Sequence, residues 1–332
     1  MATNNDELVA ENLDRYNYAV QRGHRDYIDQ AQLCEQFYMG GGGQWDSNTR
    51  DLLNGQGRPC LEFNQIRHKI DAVLGYQINN RVDISFRPRS SDADQEIATT
   101  LSKLAMQIAD NNQFHYKEST VFADGVIQQR GYFEVRMSYE DSILGEVRID
   151  TLDPLDVLPD PDAKSYDPDG WADVIITKWL TKDEIAVLYG DKDLDDLRDG
   201  VYQFGLDEQH RNKFGNSYDW ASTGQGDEKK STERFRVIDR QAWKMDRANV
   251  IITKTGDIRP VDNLRPEVVA QMVAEGCIQQ KRNVRRVRWT VTTEDTVLHD
   301  DWSPFNHFTV VPYFPTFRRG HTRGLIDDAI DP

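Results

Sequence analysis

The 332-residue chain contains three cysteines, Cys34, Cys60 and Cys277, with no Cys-X-X-Cys pair among them. An odd count at such separations excludes a disulfide framework and a cysteine zinc site, and fits a protein assembled in a reducing cytoplasm. Histidine is also scarce. Its seven residues are scattered, with no His-Glu-X-X-His and no His pair at helical spacing, so nothing announces a metallohydrolase. The serines form no Gly-X-Ser-X-Gly elbow, so nothing argues for nucleophilic catalysis. No apolar run approaches the roughly 18 residues of a membrane span. The opening MATNNDELVAENLDRYNYAV lacks the basic region and apolar stretch of a signal peptide. Positive charge is short as well: 40 Lys and Arg face 56 Asp and Glu, a net charge of -16 with a pI near 4.9. Proteins that hold duplex DNA by its phosphates carry a basic balance. As a whole this chain repels DNA at long range. Its acidity reads as solubility, or as a surface that sits near DNA without adhering to it.

What the chain does have is enough apolar material for a core. Hydrophobic residues make up 38%, with 7 Trp and 13 Tyr, which excludes general disorder. The length allows one large domain or two of average size. The mean hydropathy of -0.71 is low, so much of the chain faces water or a polar interface.

Periodicity divides the chain into helices first and strands later. Val9, Leu13, Tyr16 and Val20 recur at helical spacing, predicting one long helix from Asp6 to Met39 that stops at the glycine run Gly40 to Gly43. A short helix is expected around Arg50 to Leu53, and another from Phe63 to Asn79 with Ile66, Ile70, Val73 and Ile78 near one face. VDISFRPR alternates like a half-buried strand. In SSDADQEIATTLSKLAMQIAD, Ser and Asp caps precede Ile97, Leu101, Leu104 and Ile108, an amphipathic helix. A further helix is expected from Phe114 to Gln129.

The period then changes to two. YFEVRMSY and GEVRIDTL predict an antiparallel hairpin. DPLDVLPDPDAKSYDPDG reads as a loop, WADVIITKWL as a strand and TKDEIAVLYG as a helix with a Thr181–Glu184 capping box. Residues 191–231 are polar and Gly-rich and read as a mobile insertion. ERFRVIDRQAWKMD, NVIITKTG, RRVRWTVTTEDTVLHD and FTVVPYFPTF read as strands, with a helix from Pro266 to Glu275 between them. The ending GLIDDAIDP sets Leu325, Ile326, Ala329 and Ile330 as the start of an amphipathic helix, which suggests that the chain belongs to a longer one. The expected fold is α+β: a mainly helical region over 1–130, a mostly antiparallel β region over 131–324, and the start of a long helix over 325–332.

Several patterns imitate chemistry. Gly40 to Gly43 is followed by no Gly-Lys-Ser/Thr and cannot cradle phosphate; it reads as a helix stop. Asp160, Asp162, Asp167 and Asp169 offer oxygens for calcium or magnesium, but Lys164 stands at the fifth position and the required Gly and Glu are missing, so a solvated turn fits better. Asp153 with Asp162-Ala163-Lys164 loosely imitates two-metal nucleases, which need acids on paired strands; Pro159 and Pro161 oppose a strand there. No catalytic, cofactor-binding or metal residues are expected. The one basic concentration is Lys281, Arg282, Arg285, Arg286 and Arg288, with Arg318, Arg319 and Arg323 further on. On a strand, Val287, Trp289 and Val291 would face a core and Arg286, Arg288 and Thr290 would face outward. Arg285, Arg286, Arg288, Arg318 and Arg319 are therefore candidates for a subunit interface, with DNA contact as the alternative.

Four collinear stretches give the chain a resemblance to portal proteins of short-tailed (podovirus) phages. They are QWDSNTRDLLNGQGRPCLEFNQIRHKIDAVLGYQINNRVDISFRPRSSDADQEIA, the helix carrying Asp124 and Gly125 that runs into GYFEVRMSYED, TLDPLDVLPDPDAKSYDPDGWADVIITKWLTKDEIAVLYG, and RRVRWTVTTEDTVLHDDWSPFNHFTVVPYFPTF followed by Arg318, Arg319 and Gly320. None is a catalytic signature; the order carries the likeness. The resemblance implies the peripheral wing of a subunit in a homo-oligomeric ring of about twelve copies. That ring sits at a capsid vertex of the virion and is assembled in the host cytoplasm. It passes double-stranded DNA without sequence specificity during packaging and ejection. Its implied partners are the terminase motor, tail or adaptor proteins, and scaffold or capsid protein, with no membrane and no cofactor. The alternatives are a metal-dependent nucleic-acid enzyme built on the Asp-rich loop, and a different head–tail connector.

Overall fold

A computed structural model describes residues 2–40, 45, 47–61, 63–81, 84–88, 95–139, 143–190, 234–253, 258–261 and 264–330. The first helical region is interrupted rather than continuous. Helix α1 (Ala2–Ala19) passes into a π-helical turn (Val20–His24) and then into α2 (Arg25–Met39). The cause is Gly23, whose φ of 139 no residue with a Cβ adopts easily. Helix α2 ends at Gly40, left-handed at φ 74, with its N–H on the Gln36 carbonyl. Gly41 to Gly43, the rest of the run, lie outside the described residues, as do 191–231 and the Ser and Asp caps at 90–94.

Helices α3 (Ser47–Gly55), α4 (Ile66–Asn79), α5 (Gln95–Asn111) and α6 (Phe114–Gln128) follow. Asn64 joins two of them. Its amide donates to the carbonyls of Phe37 and Tyr38 at the end of α2, and its oxygen accepts from the N–H groups of Ile66 and Arg67 opening α4. The strand expected at VDISFRPR is not formed by the residues described there: 84–88 have no regular structure, and Ile84 and Phe86 are exposed. Phe86 spends its N–H on the Ser102 hydroxyl instead of a strand ladder. The apolar stripe of α5 is also not the buried one. Ile97, Leu101 and Leu104 are exposed at 59%, 43% and 50%, while Ala98 is buried.

Strands β1 (Gly131–Ser138) and β2 (Glu146–Leu152) form the expected antiparallel hairpin, followed by β3 (Val157–Pro159), a 3-10 turn (Pro168–Gly170), β4 (Asp173–Thr181) and α7 (Lys182–Tyr189). The capping box of α7 is present in both directions between Thr181 and Glu184. The Asp/Pro stretch is not all loop, since β3 ends on Pro159, a strand terminus where a missing N–H costs little. Next come β5 (Arg234–Ile252), β6 (Ile258–Pro260), α8 (Pro266–Ala274), β7 (Ile278–Thr292), β8 (Val297–Trp302), β9 (Val310–Tyr313), β10 (Thr316–Arg318) and β11 (His321–Arg323). The two strands expected before Gly256 are one 19-residue strand, because β7 pairs with β5 without interruption from Ile238 to Ile252.

The described residues form two compact units interleaved in sequence, one holding 2–16, 172–190 and 234–308, the other 17–171 and 309–330. In the first, the strand order is β4-β5-β7-β8, all antiparallel, with β6 beside β5. One face of this sheet buries Val237, Val291 and Leu298 with Phe235 under Ile185 of α7. The second unit has a sheet of order β2-β1-β9. Its helical core holds Cys34, Ile70, Val126, Ile127 and Ile326. Tyr132, Tyr166, Trp171 and Phe317 surround Phe314 at ring centroid distances of 5.9, 5.4, 6.4 and 5.5 Å.

Residues 325–330 form hydrogen-bonded turns rather than the expected helix start. Asp327 explains the geometry. Its carboxylate accepts from Gly324 N–H at 2.6 Å, Gln129 at 2.8 Å, Gln30 at 3.0 Å and the Cys34 thiol at 3.4 Å. The turn is thereby fixed to α2 and to the residue after α6, and Ile326 is fully buried.

Candidate functional site

Arg285, Arg286 and Arg288 lie on β7 in the first unit, and Arg318 and Arg319 lie in the second. The alternation along β7 holds on one side: Val287 and Val291 are fully buried and Trp289 is half-buried. The opposite side does not face water as expected. Arg286 and Thr290 are buried and Arg288 is half-buried. The reason is the cross-strand register and the helix α1 over this face. Asn12 of α1 donates to the Thr292 hydroxyl at 3.4 Å, and Glu11 accepts from Arg240 and Lys244, each at 3.1 Å.

Each of the two inner arginines has a carboxylate. Arg286 donates to Asp246 at 2.8 Å. Arg288 holds Asp300 through two parallel bonds of 2.8 and 2.6 Å, and Thr290 adds a third at 3.1 Å. Both guanidiniums also lie over the Trp302 ring, at 5.2 and 5.0 Å from its centroid. Burial acts to raise the Asp300 carboxyl, but the bonds and charge of Arg288, helped by Thr290 and Lys244, outweigh it and hold it below its ordinary value. Glu11 behaves alike: burial opposes ionisation, and Lys244 and Arg240 overcome it, so its carboxyl is lowered.

A second knot lies at the start of β4. Asp173, whose side chain is 4% exposed, accepts from Arg15 through bonds of 2.8 Å from each of two nitrogens and from Arg240 at 3.0 Å. No sequence motif pointed to Asp173, Asp246 or Asp300; the signal is in the strand register alone.

Arg285 projects differently. It is exposed, and its guanidinium lies 4.2 Å from the centroid of the Trp243 ring. Arg318 and Arg319 are exposed at the tip of the β10–β11 hairpin. Arg319 and Gly320, at φ 53 and 90, make the two-residue turn between paired Arg318 and His321. A side chain at Gly320 would meet the Ala163 carbonyl at 2.8 Å.

The Asp-rich stretch spends its carboxylates on hydrogen bonds within the fold. Asp160 accepts from Asp162 N–H at 3.1 Å, Asp162 from the Tyr18 hydroxyl at 2.8 Å, and Asp167 from Asp169 N–H at 3.2 Å. The first and last of these are turn-forming bonds, and the second ties the stretch to α1. Among the described residues no group of three His, Cys, Asp or Glu is placed to hold a metal ion. No helix there is long and apolar enough to cross a membrane.

The second unit also holds perturbed acids and bases. Burial, then the charges of Asp153 and Glu35, push the Asp124 carboxyl on α6 up to about 7. Burial and the Arg130 charge push His24 down to about 3, so it is neutral, with Nε2 3.0 Å from the Leu155 carbonyl. Arg130 lies 3.9 Å from the centroid of the Tyr27 ring. Burial and the neighbouring Asp327 raise the Cys34 thiol far above its ordinary value, so Cys34 is an inert core residue.

With this geometry in hand, comparison with protein families decides the assignment. The family described as "Phage P22-like portal protein" matches residues 13–332. The chain belongs to that family. The match begins well before Gln44, where the likeness read from sequence began, and so takes in α1 from Leu13 onward. Searching curated proteins yields no matching sequence. Portal-family membership gives the chain a structural role in a phage virion, in an oligomeric ring associated with capsid and tail. In this portal-family chain the arginine-rich strand is therefore read as part of a structural subunit.

Proposed function

We propose that the chain is the wing of a portal subunit, about twelve copies of which close a ring at one capsid vertex. Double-stranded DNA passes through that ring into the capsid during packaging and out of it during ejection. The terminase motor docks on it for the first step, and tail or adaptor proteins bind it for the second. Residues after 324 lead towards a stem helix in this reading, and Arg285, Arg318 and Arg319, the exposed members of the five candidate arginines, serve subunit contacts rather than DNA. The observation that carries the reading is the family match over residues 13–332. The excess of acid supports passage of DNA without adhesion, since a net charge of -16 disfavours lasting phosphate contacts.

The test is negative-stain electron microscopy of the full-length gene product, with mass measurement of the particles. Rings of about twelve subunits around a central channel are expected. A strictly monomeric product at high concentration and in the presence of scaffold would overturn the proposal.

A further inference from the structure

Resting on the ring reading above, we infer that the distal face of the β5–β7 ribbon is a subunit-contact surface that takes an acidic face of a neighbouring copy. Strand β8 pairs β7 only from Arg288 to Thr292, with one further bond from Ser303 N–H to the Val287 carbonyl. From Ile278 to Arg286, β7 therefore has β5 as its single ladder partner among the described residues. The register sets Met245 opposite Arg285, Arg247 opposite Asn283 and Asn249 opposite Lys281. Alternation along a strand puts all six side chains on one face. All six are exposed, Met245 at 68%.

The charge on this face is balanced differently from that of five cations elsewhere in its unit. Arg15, Arg240, Lys244, Arg286 and Arg288 each have a carboxylate within the unit. Arg247 and Lys281 have none among the described residues. The sequence has no acid between Glu275 and Glu294. Asp246, the nearest acid on β5, projects from the opposite face and is held by Arg286. On this face Arg247 and Lys281 are thus left unneutralised by the described fold, with two amides and an exposed methionine beside them. A merely solvated surface mixes both signs of charge, whereas Met and Arg are enriched where proteins meet.

Charge decides the occupant. Any second copy brings an excess of acid, 56 Asp and Glu against 40 Lys and Arg. A closed ring requires each subunit to present two different, complementary surfaces, and a basic face on an acidic chain supplies one of them. A polyanion such as duplex DNA would meet the same few cations but would also meet the net repulsion of the remaining chain.

The experiment compares the full-length product with its Arg247→Glu, Lys281→Glu variant by mass measurement and negative-stain microscopy over a range of protein concentration and salt. Circular dichroism checks the fold, and the neutral pair Arg247→Gln, Lys281→Gln replaces the reversal if that variant unfolds. The expected result is that half-assembly of the variant needs at least about tenfold more protein, and that salt weakens wild-type rings more than variant rings. Variant rings that form as readily as wild type at every salt concentration would overturn the contact while leaving the ring reading intact. Normal variant rings that have lost duplex DNA retained by wild type would also overturn it, making the face a nucleic-acid contact. A wild type that never forms rings would remove both.

Discussion

The two units of this chain solve the problem of buried polar groups in opposite ways. The sheet unit satisfies its buried charges in pairs: Asp173 sits between Arg15 and Arg240, Arg288 grips Asp300, and Arg286 holds Asp246. The helical unit shifts the titration of buried groups instead, with His24 held neutral and Asp124 pushed up to about 7. Its precision comes from close backbone approach, as where the Tyr313 ring lies against Gly125 with no room for a Cβ. Ion pairs across strands fix register, because a slip by one residue would separate each pair. Glycine contacts fix distance, because any added atom must displace a ring or a carbonyl. The difference predicts that charge changes damage the first unit and volume changes the second.

The strongest test of that contrast is Asp173→Ala. Removing the buried carboxylate that two half-buried arginines share is expected to cost about 3 to 5 kcal/mol. Hydrogen exchange resolved along the chain should then fall in protection across β4 and β5 while α2 and α6 retain theirs; equal loss everywhere would show that the units do not unfold separately. Next in size is Gly125→Ala. A Cβ there would stand 2.5 Å from a Tyr313 ring carbon, and overpacking of this kind costs about 1 to 3 kcal/mol. Denaturant melts of the variant should show that loss, and an unchanged midpoint would mean that the ring moves freely aside.

Asp124→Asn should act in the opposite direction and depend on pH. Between its ordinary value of 3.8 and about 7, the folded carboxyl keeps a proton that the unfolded chain releases, so stability falls as pH rises through that window and is level above it. The Asn variant lacks this penalty. Its gain in Tm should be greater at pH 8 than at pH 5, and a gain independent of pH would refute the assignment. The smallest effect is expected for Thr181→Ala, which removes half of the capping box of α7 and should cost about 1 kcal/mol. Fraying confined to Lys182–Tyr189 would appear as faster amide exchange in that helix alone.

The capping box, the β1–β2 hairpin and helix α6 were legible in the sequence because their signals are local: a Thr-X-X-Glu spacing, a period of two, and a run closed by Gly131. Errors cluster where a local signal lost to a tertiary one. VDISFRPR alternates like a strand, but the residues that the structure describes there have no ladder, and Phe86 binds Ser102 instead. The α5 stripe is amphipathic, yet the fold buries Ala98 and leaves Ile97, Leu101 and Leu104 outside. Arg286 and Arg288 looked solvent-facing because a single strand shows only its own alternation. Asp246 and Asp300, which neutralise them, are 40 and 12 residues away.

By itself the sequence determined the order of helices before strands, the acidic balance, the lack of any catalytic or metal signature, and the collinear pattern that marks the portal family. Periodicity, composition and spacing are properties of neighbouring residues, so no folding is needed to read them. Only the tertiary structure decided that the units interleave, that the 325–330 turn hangs on Asp327, and that of the arginines of β7 Arg286 and Arg288 are held by carboxylates while Arg285 is exposed beside Trp243. Those outcomes depend on partners brought together across long stretches of chain, and the register of paired strands, not the sequence of either one, selects them.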